Sequence, residues 1–252
     1  MQQVLRNFRL STSAHNSQTK GKAIPLIFIL GSYMTSFDYH QVMASQIPRG
    51  AFIVFEGCDR SGKTTQAKKL VDYLNKNNIP SQFVNFPDRT ISTGHIIDEY
   101  LRKKIELSDQ AAHLLFSANR WEREPTLTKL IEQGITLICD RYSFSGVAFS
   151  AAKEGMDISW CFQPEKGLPK PDAVLLFKLN EEALQRRKGF GDERYEQTDF
   201  QRKVAENYEK LKDNIWIDID ADKDIETLGL IVKDIVIDTI KKSQFSPLER
   251  FV

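Results

Sequence analysis

The chain has 252 residues, enough for one α/β domain of ordinary size. Its 35 Lys and Arg nearly balance 34 Asp and Glu, so a formal charge of +1 supplies no field for holding nucleic acid or an anionic membrane. Three widely spaced cysteines, Cys58, Cys139 and Cys161, build neither a disulfide framework nor a C-x-x-C metal pair, which points to a reducing compartment.

Residues 1–42 differ from the rest. Arg6, Arg9, Lys20 and Lys22 face a single acid, Asp38, among clustered Ser and Thr. That composition suits an organelle transit peptide, a disordered tail, or sequence upstream of a start at Met43. The apolar run "AIPLIFIL" at 23–30 is too short to span a bilayer. The expected organisation is an extension over 1–42 and one folded domain over 43–252. The expected location is the cytoplasm, with the nucleus open, or the mitochondrion if the extension is a targeting segment.

"AFIVFEG" (51–57) is an apolar, β-rich run ending in Gly, as a strand buried on both faces reads. It leads straight into "GCDRSGKT" (57–64), which fits G-x-x-x-x-G-K-[ST] through Gly57, Gly62, Lys63 and Thr64. A helix follows, with Ala67, Leu70, Val71 and Leu74 at helical spacing and "NKNNIP" as its stop. Further strands are expected at 81–86, 135–140, 173–179 and 215–220, with helical segments between them. This alternation predicts a P-loop NTPase-type three-layer α/β fold, a five-stranded parallel sheet with helices on both faces. A long helix is expected between Ser108 and Gln133, broken near Pro125, with Phe116 and Arg120 on one face. The charged, Gly-punctuated stretch 186–199 cannot pack a core and is expected to be a short lid.

A strand, Gly-rich loop and helix in this order form a triphosphate cradle. Backbone N–H groups and the helix start meet the phosphates, Lys63 reaches the β- and γ-phosphates, and Thr64 joins a Mg2+ shell. Asp140, at the carboxyl end of its strand in "DRYSFSG", can reach the metal through water, and Arg141 can clamp a second anion. "FPDR" (86–89) offers Arg89 in the same way. A GTPase would need N-K-x-D after a strand. "NKNN" at 75–78 lacks the acid and ends a helix, so that reading loses ground.

The strings "GCDRSGKTTQ", "FPDR", "HLLFSANRWE", "CDRYSFSGVAFS" and "GLPKPD", with "DERYE" at 192–196, closely resemble the thymidylate kinase family from about Arg49 to about Asp238. The resemblance implies a nucleoside monophosphate kinase domain that phosphorylates dTMP to dTDP with ATP and Mg2+, as a homodimer. Phe116 resembles the ring that stacks on thymine, and Arg120 the donor to a thymine carbonyl. Phe86 and Phe149 resemble the apolar wall beside base and sugar, with Ser145 and Gly146 lining the base pocket. Arg89 and Arg141 resemble the phosphate clamp. Tyr195 matches a residue closing over the sugar, and Gln201 joins the dTMP-binding set. On the ATP side, Gly57, Ser61, Gly62, Lys63, Thr64 and Thr65 match the loop, and Arg187 and Lys223 the adenine contacts. Asp59 resembles the acid that accepts a hydrogen bond from the 3′-hydroxyl of dTMP, and Arg60 a P-loop arginine on the γ-phosphoryl group. Lys63, Arg60, Arg141 and Asp140 are the expected catalytic set, with Thr64 and Asp140 toward the metal. Two alternatives stay open: a kinase of different acceptor range, taking dUMP or dGMP, and an inactive nucleotide-binding homologue.

Overall fold

Alternate residues of each apolar run serve different cores. In β1 (Phe52–Gly57) the side chains of Phe52 and Val54 enter one cluster, while Ile53 and Phe55 enter another on the opposite face. β3 (Thr136–Asp140) and β4 (Ala173–Lys178) divide in the same way, Leu137 and Cys139 against Ile138, and Val174 and Leu176 against Leu175 and Phe177. Strands apolar on both faces must be covered on both, which is why helices flank the sheet. Each such fully buried side chain contributes about 1.5–3 kcal/mol of transfer free energy.

The computed structural model describes residues 48–179, 194–195 and 198–252. The 1–42 extension and most of the 186–199 lid, Arg187 included, lie outside the described residues. Between the strands named above come α1 (Lys63–Lys76), β2 (Ser81–Asn85), α2 (Ser92–Leu101) and α3 (Asp109–Glu132). After β3 come α4 (Ser143–Ser150), α5 (Ile158–Phe162), a 3-10 turn (Gln163–Glu165) and then β4. α6 (Thr198–Leu211), β5 (Trp216–Asp220) and α7 (Ile225–Ser243) complete the described part. All five strands are parallel, in the order β2-β3-β1-β4-β5.

α3 corrects one expectation. It runs unbroken through Pro125. Pro costs its helix one N–H donor and some backbone clearance. Here Leu127 and Ile131, beyond the proline, are fully buried in the core that β1 and β3 also line, so packing holds the last turns in line.

The register brings the site together. Phe55 and Asn85 both stand opposite Asp140, and Gly57 opposite Phe177. The loops after β1, β2 and β3 therefore emerge at one edge of the sheet. That edge carries the phosphate loop, the 86–89 turn and the Asp140–Arg141 pair. Open α/β sheets bind ligands at such a place.

Candidate active site

The phosphate loop is shaped by backbone constraints. Gly57 has φ +135°, and a Cβ there would fall 2.4 Å from the carbonyl oxygen of Phe177 on the neighbouring strand. Only glycine fits. Gly62 caps α1 at φ +93°, and Arg60 sits in the left-handed region at +64°, where a non-glycine residue carries strain.

Lys63 opens α1 and folds back over the loop. Its Nζ donates to the Cys58 carbonyl (2.8 Å) and the Ser61 hydroxyl (3.1 Å). Burial, helped by the nearby Arg141, pushes its ammonium pKa down to about 8. The Thr64 hydroxyl donates to Asp140 Oδ2. Asp140 Oδ1 is buried and has no hydrogen-bond partner among the described residues. A carboxylate oxygen left unsatisfied beside a P-loop threonine suits a hydrated Mg2+, so the residues present fit the metal. Arg60, Ser61, Gly62, Lys63, Thr64, Thr65 and Lys223 line a cavity of about 550 Å³ at this end. Lys223 is paired there with Asp220 (2.8 Å). Gly57 is not in its wall; the Gly57 carbonyl accepts from Arg141 instead (3.0 Å).

A second cavity, of about 230 Å³, opens beyond the loop. Phe86, Arg89, Phe116, Arg120, Arg141, Ser145, Gly146, Phe149 and Tyr195 all line it, from segments spread over more than a hundred residues of chain. Arg141 lies over the Phe149 ring at 5.0 Å, and Tyr195 meets that ring edge-on at 5.8 Å. Arg89 pairs with Asp98 at 2.7 Å. Asp59, Asp140 and Arg141 belong to both cavities. The acid in the phosphate loop thus stands at the junction, bound by Arg141 Nη2 (2.5 Å) and Gln201 Nε2 (3.0 Å). Burial would raise its pKa, but the guanidinium outweighs burial and holds the carboxylate below its usual range.

Gln201 is not in the wall of the second cavity. It touches the site through Asp59, and also donates to the Tyr195 carbonyl at 2.8 Å. Val147 in α4 is fully buried, whereas Leu114 in α3 is exposed.

The structure adds residues that pattern reading missed. Glu56, fully buried at the end of β1, accepts from the backbone N–H of Tyr142 and Ser145 and from the hydroxyls of Ser145 and Tyr208. Ser145 and Tyr208 in turn take N–H groups of Arg141, so Glu56 indirectly seats that arginine. An acid inside a run otherwise apolar was the available signal. Glu165 is likewise buried, and binds Arg120 through two hydrogen bonds. Arg120 is therefore no snorkelling surface base; its side chain is only 2% exposed.

A family model described as thymidylate kinase matches residues 55–229. The chain is 49% identical over 195 residues to the thymidylate kinase of Arabidopsis thaliana, covering 77% of this chain and 74% of that protein. It is 43% identical to the human thymidylate kinase, covering 79% and 96%. The chain belongs to the thymidylate kinase family. Among solved structures, a thymidylate kinase from Candida albicans superposes with a TM-score of 0.73 at 38% identity, covering 81% of this chain and 99% of that one. Members of the family so placed share the P-loop NTPase fold, and the five parallel strands here accord with it.

Proposed function

We propose that the two cavities hold ATP and dTMP end to end, and that the chain transfers the γ-phosphoryl group to the phosphate of dTMP, forming dTDP for dTTP synthesis. The protein is an ATP-dependent dTMP kinase. The observation that carries this reading is the junction: one arginine and two carboxylates common to a triphosphate cradle and an aromatic-walled pocket.

The nucleophile is a phosphate oxygen of dTMP. Its second pKa is about 6, so it is largely dianionic at neutral pH and needs no strong base. The obstacle is bringing two anions into line, which positive groups must offset. Arg141 and Arg89 hold the acceptor phosphate, while Lys63 and Arg60 meet the donor. Phe116 stacks on the base, Arg120 donates to its carbonyl, and Phe86 and Phe149 enclose base and sugar. Asp59 would repel phosphates if aimed at them. Its two bonds to Arg141 and Gln201 instead hold it at the junction of the cavities, and a carboxylate has lone pairs enough to accept a 3′-hydroxyl as well. Thr64 directly, and Asp140 through water, would hold Mg2+, which when bound draws charge from the β- and γ-phosphates.

The protein acts as a homodimer in this reading. Leu114 and Trp121, seven residues apart on one face of α3, are 48% and 40% exposed, an apolar surface of the kind that pairing covers.

A coupled ADP-release assay with ATP, Mg2+ and dTMP, with dUMP, dGMP and CMP in parallel, tests the activity. Turnover with dTMP well above the other three is expected. ADP release independent of any monophosphate, or a clear preference for one of the controls, would overturn the assignment. Light scattering during gel filtration tests the dimer.

A further inference from the structure

Four side chains of α3 bond to the 161–165 segment. His113 Nε2 meets the Cys161 carbonyl at 2.8 Å, and Ser117 Oγ and Trp121 Nε1 both donate to the Pro164 carbonyl, at 3.1 and 2.7 Å. The fourth tie is the ion pair itself, Arg120 of α3 against Glu165 of the 3-10 turn. Glu165 accepts from Nε at 2.6 Å and from Nη2 at 2.5 Å, with both side chains buried. Of the three guanidinium nitrogens, only Nη1 makes no hydrogen bond among the described residues, and Arg120 forms part of the wall of the second cavity. On the other side Gly146 closes the space: a Cβ there would lie 2.5 Å from Nη2 and 3.0 Å from Nη1. The guanidinium is thus clamped on two edges, by a carboxylate and by backbone.

We propose that Glu165 is a positioning residue that sets base selectivity, by fixing Arg120 so that Nη1 is the donor presented to the base. The inference rests on the reading of the second cavity as the dTMP site. A guanidinium only donates, so a fixed one demands an acceptor on the base edge opposite it. A pyrimidine with a carbonyl at position 4 satisfies it, and one with an amino group there brings two donors together. A mobile guanidinium could swing to another acceptor and would discriminate less. Rejection by a site that leaves a buried polar group unpaired is the strong kind. Glu165 itself touches no substrate, so its effect passes through Arg120.

The test compares kcat/KM for dTMP and dCMP in the full-length protein and in Glu165→Gln and Glu165→Asp. Gln presents one acceptor where two were needed, and Asp keeps the carboxylate. Glu165→Gln is expected to raise KM for dTMP at least about tenfold and to cut the dTMP-to-dCMP ratio by a similar factor, with KM for ATP within about twofold. Glu165→Asp is expected to restore most of the ratio. In an Arg120→Met background, adding Glu165→Met should change the ratio no further. If Glu165→Gln folds and keeps the wild-type ratio, the inference is overturned while the dTMP reading stands. If the wild-type protein shows no turnover dependent on dTMP, the reading beneath it has failed. Should Glu165→Gln yield no folded protein, nitrogen-15 NMR of the wild-type arginines decides. Hindered rotation of the Arg120 guanidinium before dTMP is added supports preorganisation, and free rotation overturns it.

Discussion

Replacing Gly146 by Ala adds a single methyl group where the structure leaves no room. The new Cβ would stand 2.5 Å from Arg120 Nη2 and 3.0 Å from Cζ. Ordinary non-bonded contact is about 3.5–4 Å, so the overlap is about 1 Å. A long surface arginine would swing aside at little cost, but this one is buried and doubly bonded to Glu165. Breaking that pair would cost about 3–5 kcal/mol, more than shifting the guanidinium and the α4 backbone together, for which overpacking costs of about 1–3 kcal/mol are usual. For a domain of this size that corresponds to a melting temperature lower by about 3–10 °C. The displaced Nη1 should also reduce kcat/KM for dTMP by up to about a hundredfold, the penalty of an ångström-scale misplacement. KM for ATP should hold, since Gly146 is not in the wall of the triphosphate cavity. Scanning calorimetry and initial rates measure both effects. A variant with wild-type melting temperature and wild-type kcat/KM for dTMP would show that the guanidinium is not clamped.

Other consequences can be measured on the same protein. Arg60→Ala should reduce kcat by about a hundredfold or more while KM for dTMP changes little, since the arginine meets charge that develops on the transferred group; equal losses in both would count against its place on the donor side. Lys63, with its pKa near 8 in the ligand-free protein, should regain its proton when an anionic triphosphate arrives. ATP binding should therefore take up a proton between about pH 8 and 10.5 and weaken by up to about tenfold per unit in that window. Over the same window the unfolded chain binds more protons than the folded one, so this group makes ligand-free stability rise with pH. Calorimetry in two buffers of different ionisation heat reads the uptake, and its persistence in Lys63→Met would refute the assignment. Asp140→Asn should raise the free Mg2+ needed for half-maximal rate by about tenfold or more, because a neutral amide holds the cation's bound water more weakly than a carboxylate and removes a charge beside the cation; an unchanged Mg2+ midpoint would remove Asp140 from the metal's surroundings.

Much of the site was legible along the chain. Gly57, Gly62, Lys63 and Thr64 follow a strand and open a helix, and that local order is enough to place a phosphate cradle. Asp140 ends another strand and Arg141 follows it, and parallel strands deliver their ends to one edge. Gln201 was grouped with the nucleotide ligands from the family pattern, and its bond to Asp59, 142 residues away, is a contact that only the fold creates. Pro125 looked like a break, because propensity is read one helix at a time while the core that overrides it is assembled from several.

The sequence by itself determined the strands, the loop chemistry and the family, because periodicity and motif spacing are short-range properties written into neighbouring residues. Only the tertiary structure decided which partner each buried carboxylate meets. Glu165 meets Arg120 across 45 residues and Glu56 meets Tyr208 across 152. Whether a buried carboxylate is a liability or an anchor depends on a partner within about 3 Å, a distance that the fold sets and no local pattern carries.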